Sequence, residues 1–256
     1  MSHQLPVGTI LHGRYRIESV IGQGGFGITY KAHDPGLNHW VCIKELFPSG
    51  LCVRGPENTV VFQGKEALDF PGFRKRFIRE AQELARFRHP NIVRVSEVFE
   101  ANQTAYFVMD FVEGETLRDL VLREGRLKPE QALPLMHSLL DAVETVHNAG
   151  MLHRDIKPDN VLVEPSGKVV LIDFGSAKSF EDGRTLSQTA ILTPGYAPLE
   201  QYSDTATRGP FTDIYALGAT FYFMLTGRKP LAAIDRQETV LQAPHSLFSD
   251  ISDILS

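Results

Sequence analysis

Residues 150–163 read GMLHRDIKPDNVLV, and no other run constrains the chain as tightly. His153, Arg154, Asp155, Lys157, Asp159 and Asn160 crowd into eight positions, flanked by Met151 and Leu152 on one side and Val161, Leu162 and Val163 on the other. A surface loop would be polar on both sides. Apolar flanks instead hold this loop against a core, and polar groups held that firmly form a candidate site.

The patterning around this run predicts two unlike halves. The runs YRIESVIG, FGITYKAHD and HWVCIKEL are short and β-prone, separated by Gly, Asp-Pro and Asn-His breakers. Residues 48–72 carry Pro and Gly signals and read as a long connection with room for an extra strand. In FRKRFIREAQELARFR, Phe73, Phe77, Ile78, Ala81 and Leu84 recur at helical spacing, with His89-Pro90 as the stop. IVRVSEVFEANQTAYFVMDFV predicts two strands around an Asn-containing turn. From Thr116 the pattern turns helical, and KPEQALPLMHSLLDAVETVHNAG has Pro near its start and Gly at its end. NVLVEP and KVVLIDF predict a hairpin around Ser166-Gly167. A weakly patterned polar stretch, 176–194, then precedes the helix FTDIYALGATFYFMLTG.

A β-rich lobe with one helix thus precedes a mostly helical lobe, and a cleft between two lobes is the expected ligand site. The 256 residues, 43% hydrophobic and 22% charged, suffice for one large domain or two lobes with separate cores. No window approaches the roughly eighteen apolar residues of a membrane span, and no apolar run follows a basic start as in a secretory signal. Cys42 and Cys52 give no disulfide framework and fit a reducing, cytoplasmic setting. A net charge of −5 without a long basic run argues against nucleic acid as a partner.

Several residues carry candidate chemistry. Gly22, Gly24 and Gly27 have the spacing G-x-G-x-x-G, which lets backbone N–H groups approach phosphate oxygens but also suits a plain tight turn. The following ITYKAHD continues as a strand, so the loop joins two strands as a lid would, unlike the start of a dinucleotide-binding helix. Lys44 stands in the otherwise apolar VCIKEL, either snorkelling from a strand edge or held over phosphates. Asp155 can accept the proton of an attacking hydroxyl. Asn160, five residues on, can hold a metal ion, and Lys157 between them can offset charge on a phosphoryl group. Asp173, at the end of a β-prone strand, can supply a second hard oxygen of the kind Mg²⁺ prefers.

Taken in order, GQGGFG, VCIK, Glu80, HRDIKPDN and DFG resemble the signature set of eukaryotic-type protein kinases, over most of the chain from about Tyr15 to Pro230. The segments KELFPSG and GYAPLEQY resemble the bacterial serine/threonine members. The resemblance implies an α+β, bilobal protein kinase fold in a domain spanning 15–256. Its β-rich N-lobe, about 15–111, has one main helix; its mostly helical C-lobe, about 112–256, lacks its last helices. It implies transfer of the γ-phosphoryl group of ATP to Ser/Thr hydroxyls of proteins.

By the same resemblance, Gly22, Gly24, Gly25 and Gly27 cover the phosphates, and Lys44 holds them while paired with Glu80. Thr29, Cys42, Met109, Asp110, Val112 and Leu162 line the adenine site, with Met109 as gatekeeper and Asp110 to Val112 as hinge. Asp155 is the base, with Lys157 beside it, and Asn160 and Asp173 ligate Mg²⁺ or Mn²⁺. Lys157 and Thr193 fit the serine/threonine class, and Asp213 anchors the backbone of the catalytic loop. Arg154 implies a phosphate on the segment containing Thr185, Ser187 and Thr189, introduced by autophosphorylation and aided by a homodimer.

The chain departs from this pattern in places. Cys42 replaces the usual Ala, Thr29 replaces a Val, and YAPLE sets its Pro one position early. The family pattern also places a late Arg against the residue matching Glu200, and after Thr226 only Arg228, Lys229 and Arg236 are available, none in a fitting context. These departures raise the competing expectation of a catalytically impaired nucleotide-binding scaffold; a third, phosphotransfer to a small molecule on the same fold, is opposed by the resemblance of TPGYAPLEQY to protein-substrate kinases.

Overall fold

The computed structural model describes residues 3–63, 70–174, 178–179, 192–203, 205–248 and 251. Two compact units divide the chain: residues 1–87 with 94–111, and residues 88–93 with 112–256.

The first unit is built on eight strands: β1 (Ile10–Leu11), β2 (Tyr15–Gln23), β3 (Gly27–Asp34), β4 (His39–Leu46), β5 (Cys52–Arg54), β6 (Val60–Phe62), β7 (Val95–Ala101) and β8 (Thr104–Asp110). Six form one antiparallel sheet in the order β1-β2-β3-β4-β8-β7. Strand alternation puts Ile28, Tyr30, Ile43, Tyr106 and Val108 on one face, where they join Ile17, Val41 and Phe47 in a core. Asn102 and Gln103, at φ 51° and 61°, make the expected turn between β7 and β8; left-handed backbone at both positions is what a tight hairpin turn requires. Helix α1 (Phe70–Leu84) packs on β7 and β8 through Phe77, Ala81 and Leu84.

Two details differ from expectation. The long connection holds a two-stranded hairpin, β5 against β6, where a single strand was anticipated. Helix α1 also ends at Leu84, well before His89-Pro90, and tight turns from Arg86 to Glu83 and from Phe87 to Leu84 close it. The proline therefore bars re-extension without setting the end.

The hairpin brings Arg54 under the main sheet. Its guanidinium donates to both carboxylate oxygens of Glu45, at 2.7 and 2.6 Å, and both residues are buried. Tyr30 and Tyr106 donate to the same carboxylate at 2.7 and 2.5 Å. Arg54 also donates to the carbonyls of His3 and Asn58, and the Leu5 N–H donates to the Tyr30 hydroxyl. Burial opposes the charge on Arg54, yet the Glu45 carboxylate holds its pKa above the usual value. Burial, with the Glu45 charge second, pushes the Cys52 thiol up to about 12.

The second unit contains β9 (Glu115–Thr116), α2 (Leu117–Glu124), α3 (Pro129–Asn148), β10 (Met151–Leu152), β11 (Val161–Val163), β12 (Val169–Leu171), β13 (Lys178–Ser179), α4 (Pro210–Thr226) and α5 (Pro244–Leu247). The Thr116 hydroxyl caps α2 by accepting from the Asp119 N–H at 3.0 Å. Pro129 opens α3, while Gly227, at φ 66°, ends α4 in left-handed backbone. Helices α3 and α4 pack together, and β11 pairs with both β12 and β9. Beyond α4 the described residues form only a 3-10 turn and the four-residue α5, in keeping with a C-lobe short of helices.

Removing one member of a buried ion pair leaves the other charged and uncompensated. Arg54→Met is expected to lower stability by about 3–5 kcal/mol, read as a fall in the urea midpoint at unchanged m-value.

Candidate functional site

Each unit carries its own share of the predicted residues. In the first unit the register of β3, β4 and β8 sets the geometry. Lys44 pairs with Thr29 on one side and Phe107 on the other, and Cys42 pairs with Met109. Directly paired residues share a face, so Thr29, Cys42, Lys44 and Met109 all lie on the face opposite the Glu45 network. Helix α1 covers this face through Phe77, whose ring centre is 5.0 Å from that of Phe107. The Lys44 ammonium is 5.9 Å from the same Phe107 ring centre. Glu80, three residues after Phe77, lies on the same side of α1.

The glycine-rich turn joins β2 to β3, as a strand-to-strand lid requires. The Gly24 N–H donates to the Gly27 carbonyl at 2.9 Å, closing the turn. A Cβ on Gly27 would stand 2.5 Å from the Glu45 carbonyl oxygen, so only glycine permits this approach to β4. Asp110 ends β8 with its side chain exposed and its N–H bonded to the Arg94 carbonyl at 3.0 Å.

In the second unit the opening run becomes β10, a loop, a 3-10 turn over Pro158–Asn160, and β11. The Lys157 ammonium donates to both Asp155 oxygens, at 2.9 and 2.8 Å, and to the Thr193 hydroxyl at 3.1 Å. Asn160, buried, donates through its amide to the Asp155 carbonyl at 2.7 Å and to the Asp155 carboxylate at 2.9 Å. Those donations direct the amide oxygen of Asn160 away from Asp155. The Ile172 N–H donates to the Asn160 carbonyl at 2.9 Å, continuing the β11–β12 ladder, so Asp173 follows directly beside Asn160. Asp173 has φ 61° and Arg154 has φ 67°, left-handed conformations that cost non-glycine residues energy and gather at functional sites.

An amide oxygen and a carboxylate are hard donors, and two protein ligands completed by phosphate and water suit Mg²⁺. No cluster of three or more His, Cys, Asp or Glu side chains able to hold a metal occurs among the described residues. Val112 follows the first unit's last residue, and Leu162 sits at the centre of β11, facing Thr116 and Val170 in register.

The loop's backbone is fixed from beneath by Asp213 on α4. Its carboxylate, buried, accepts from the N–H groups of His153 at 2.9 Å and Arg154 at 2.8 Å, and pairs with His147 Nε2 at 2.8 Å. Burial raises the pKa of Asp213, but the His147 bond and the two backbone bonds outweigh it and hold the carboxyl below its usual range. Burial holds His153 below the usual histidine pKa. A neutral ring can accept from the Asp155 N–H at Nδ1, 3.3 Å away, while Nε2 donates to the Ile172 carbonyl, also 3.3 Å away.

Two participants were not anticipated from sequence. Gln201 donates to the Arg154 carbonyl at 2.7 Å across a separation of 47 residues, and no local pattern marks it. His147 sits in the last turn of α3, a position that favours a cation near the helix end, and that signal was available. Glu200 is half-buried, and its described partner is the Thr212 hydroxyl, which donates to it at 2.8 Å. Gly175, Ser176, Thr185, Ser187 and Thr189 lie outside the described residues.

Residues 15–254 match the family described as protein kinase domain. The chain is 35% identical to serine/threonine-protein kinase PknA of Mycobacterium tuberculosis over 234 residues, covering 88% of this chain and 50% of PknA. It is 33% identical to serine/threonine-protein kinase PrkC of Bacillus subtilis over 229 residues, 88% of this chain but 32% of PrkC. The chain therefore spans about half the length of PknA and a third of PrkC. Among solved structures, the apo form of PpkA-294 superposes with a TM-score of 0.84 at 37% identity, covering 96% of this chain and 87% of that one.

A carboxyl whose pKa is depressed on folding adds stability above its unfolded pKa, near 3.8 for Asp213, and loses it as pH falls through the lower folded value. His147→Leu removes the main group depressing that pKa. The acid limb of the stability curve is expected to move to higher pH in the variant, as read by circular dichroism across an acid titration.

Proposed function

The chain belongs to the protein kinase domain family, and on that premise we propose that it transfers the γ-phosphoryl group of ATP to serine or threonine hydroxyls of proteins. The observation that carries this reading is the state of Asp155. Its carboxylate is anchored by Lys157 and Asn160 and touched by the Thr193 hydroxyl, on a loop whose backbone is fixed by a buried acid. A carboxylate so oriented can accept the proton of an incoming hydroxyl as the oxygen attacks phosphorus. Thr193 beside it marks where a substrate hydroxyl can be received, and the serine/threonine names of PknA and PrkC agree with that choice.

In this reading Lys157 offsets charge on the transferring phosphoryl oxygens. Asn160 and Asp173 hold Mg²⁺ or Mn²⁺, which when bound neutralises phosphate charge and favours departure of the nucleoside diphosphate. Gly22, Gly24, Gly25 and Gly27 let the backbone approach the phosphates. Lys44, paired with Glu80, binds them as a cation. Thr29, Cys42, Met109, Asp110, Val112 and Leu162 receive the adenine. Autophosphorylation at Thr185, Ser187 or Thr189, aided by a homodimer, belongs to the same reading. No helix among the described residues is long and apolar enough to cross a membrane, and we place the domain in the cytoplasm, where ATP is available.

The rival reading, a non-catalytic nucleotide-binding scaffold, rested on the shortened C-lobe and an orphaned Glu200. The Thr212 bond weakens it. Asp155→Asn keeps the side chain's size and removes the base. Transfer of radiolabelled phosphate from ATP to a generic protein acceptor is expected to fall by about 10²–10⁴ in this variant, with nucleotide binding retained. Equal, background incorporation by both forms, at undiminished ATP binding, favours the scaffold.

A further inference from the structure

After Leu46 the chain leaves β4 and runs along the glycine-rich turn. Three bonds tie the two segments. The Phe47 N–H donates to the Phe26 carbonyl and the Ser49 N–H to the Gly25 carbonyl, both at 2.9 Å. The Ser49 hydroxyl donates to the Gly24 carbonyl at 3.2 Å. Three successive carbonyls of the turn are thereby occupied by residues 47–49.

The segment making these bonds is itself fixed. The Leu46 carbonyl accepts from the Thr104 hydroxyl at 2.6 Å. The Pro48 carbonyl accepts from the Leu51 N–H and from the Cys52 thiol, both at 3.2 Å. Phe47 is fully buried, and the Arg54 guanidinium lies 4.8 Å from its ring centre. Arg54 in turn is clamped by Glu45, the neighbour of Lys44. Residues 48–51 form a turn closed by the Leu51 to Pro48 bond, with Gly50 at φ 78° in the third position, as in type II turns.

We propose that residues 47–49 are a strap that fixes the glycine-rich turn, that Ser49 is a positioning residue within it, and that the Glu45–Arg54 pair is its anchor. This rests on the reading above, in which the turn covers nucleotide phosphates. A turn with glycines at 24, 25 and 27 has many conformations, and ordering it around a phosphate costs entropy. Bonds that hold the carbonyls in the free protein meet that cost before the nucleotide arrives, which raises affinity without adding a contact to the nucleotide. Because strap and phosphate lysine leave the same strand, the turn and Lys44 share one frame of reference.

The turn geometry supplies a specific test. Proline is favoured at the second position of a type II turn, so Ser49→Pro suits the turn's backbone, deletes both the N–H and the hydroxyl that reach Gly25 and Gly24, and sets its ring Cδ against the Gly25 carbonyl, forcing the two segments apart. Hydrogen exchange of the amides of residues 24–27, measured without nucleotide, is expected to accelerate about tenfold in this variant. Binding of Mg·ATP and Mg·ADP, by calorimetry, is expected to weaken about tenfold. Ser49→Ala, which loses only the hydroxyl, is expected to show about a threefold effect and serves if the proline variant does not fold. Ser49→Thr, retaining both donors, is expected to match the parent.

Unchanged exchange in Ser49→Pro, or in Ser49→Ala where only that variant folds, overturns the strap whatever the nucleotide does. Faster exchange at unchanged affinity overturns its role in binding. Failure of the parent protein to bind Mg·ATP overturns the kinase reading and with it that role, while the exchange rates still decide whether the strap exists.

Discussion

On β4, side chains alternate faces, and that alternation sends Lys44 one way and Glu45 the other. The consequence is that the residue proposed to hold phosphates cannot move independently of a buried carboxylate anchored by three side chains. Glu45 accepts from Arg54, Tyr30 and Tyr106, three donors from three different strands. A buried carboxylate needs that many partners because an unmet charge in a core is far more costly than an unmet methylene. Satisfying Glu45 therefore ties the β5–β6 hairpin, the main sheet and residues 3–5 into one body.

The second unit solves a similar problem with a second buried carboxylate. Asp213 accepts two backbone N–H groups of the loop before Asp155 and is itself paired with His147 at the end of α3. In both units a carboxylate that takes no part in the proposed chemistry fixes the backbone next to a residue that does. The loop around Asp155 gains a further tie from Gln201, bonded to the Arg154 carbonyl. With these bonds in place, Arg154 can be held in left-handed backbone that is costly for a non-glycine residue.

Much of this was legible in the sequence because it is local. The strands from Tyr15 to Leu46, helix α1, the Asn102 turn and the β11–β12 hairpin follow from period, turn residues and caps, all of which act within a few residues. Lys157 and Asn160 reach Asp155 from two and five residues away, so their grouping was readable as a motif. Arg54 was not readable in this way. Nothing near it distinguishes a buried arginine from an exposed one, and its partner Glu45 looks like an ordinary polar residue after a lysine. The end of α1 was misplaced for a related reason, since tight turns after Leu84, and not the distant proline, close the helix.

The amino-acid order alone determined which chemical groups exist and which near neighbours share a turn, a strand face or a helix side, because those relations depend only on backbone period. Tertiary structure alone decided which distant donors meet which acceptors: Arg54 and Tyr106 at Glu45, Thr212 at Glu200, Gln201 at the Arg154 carbonyl, Ser49 at the glycine-rich turn. Those partnerships depend on where chain segments cross in space. A hydrogen bond is felt over only about 3 Å, so no pattern along the chain records it.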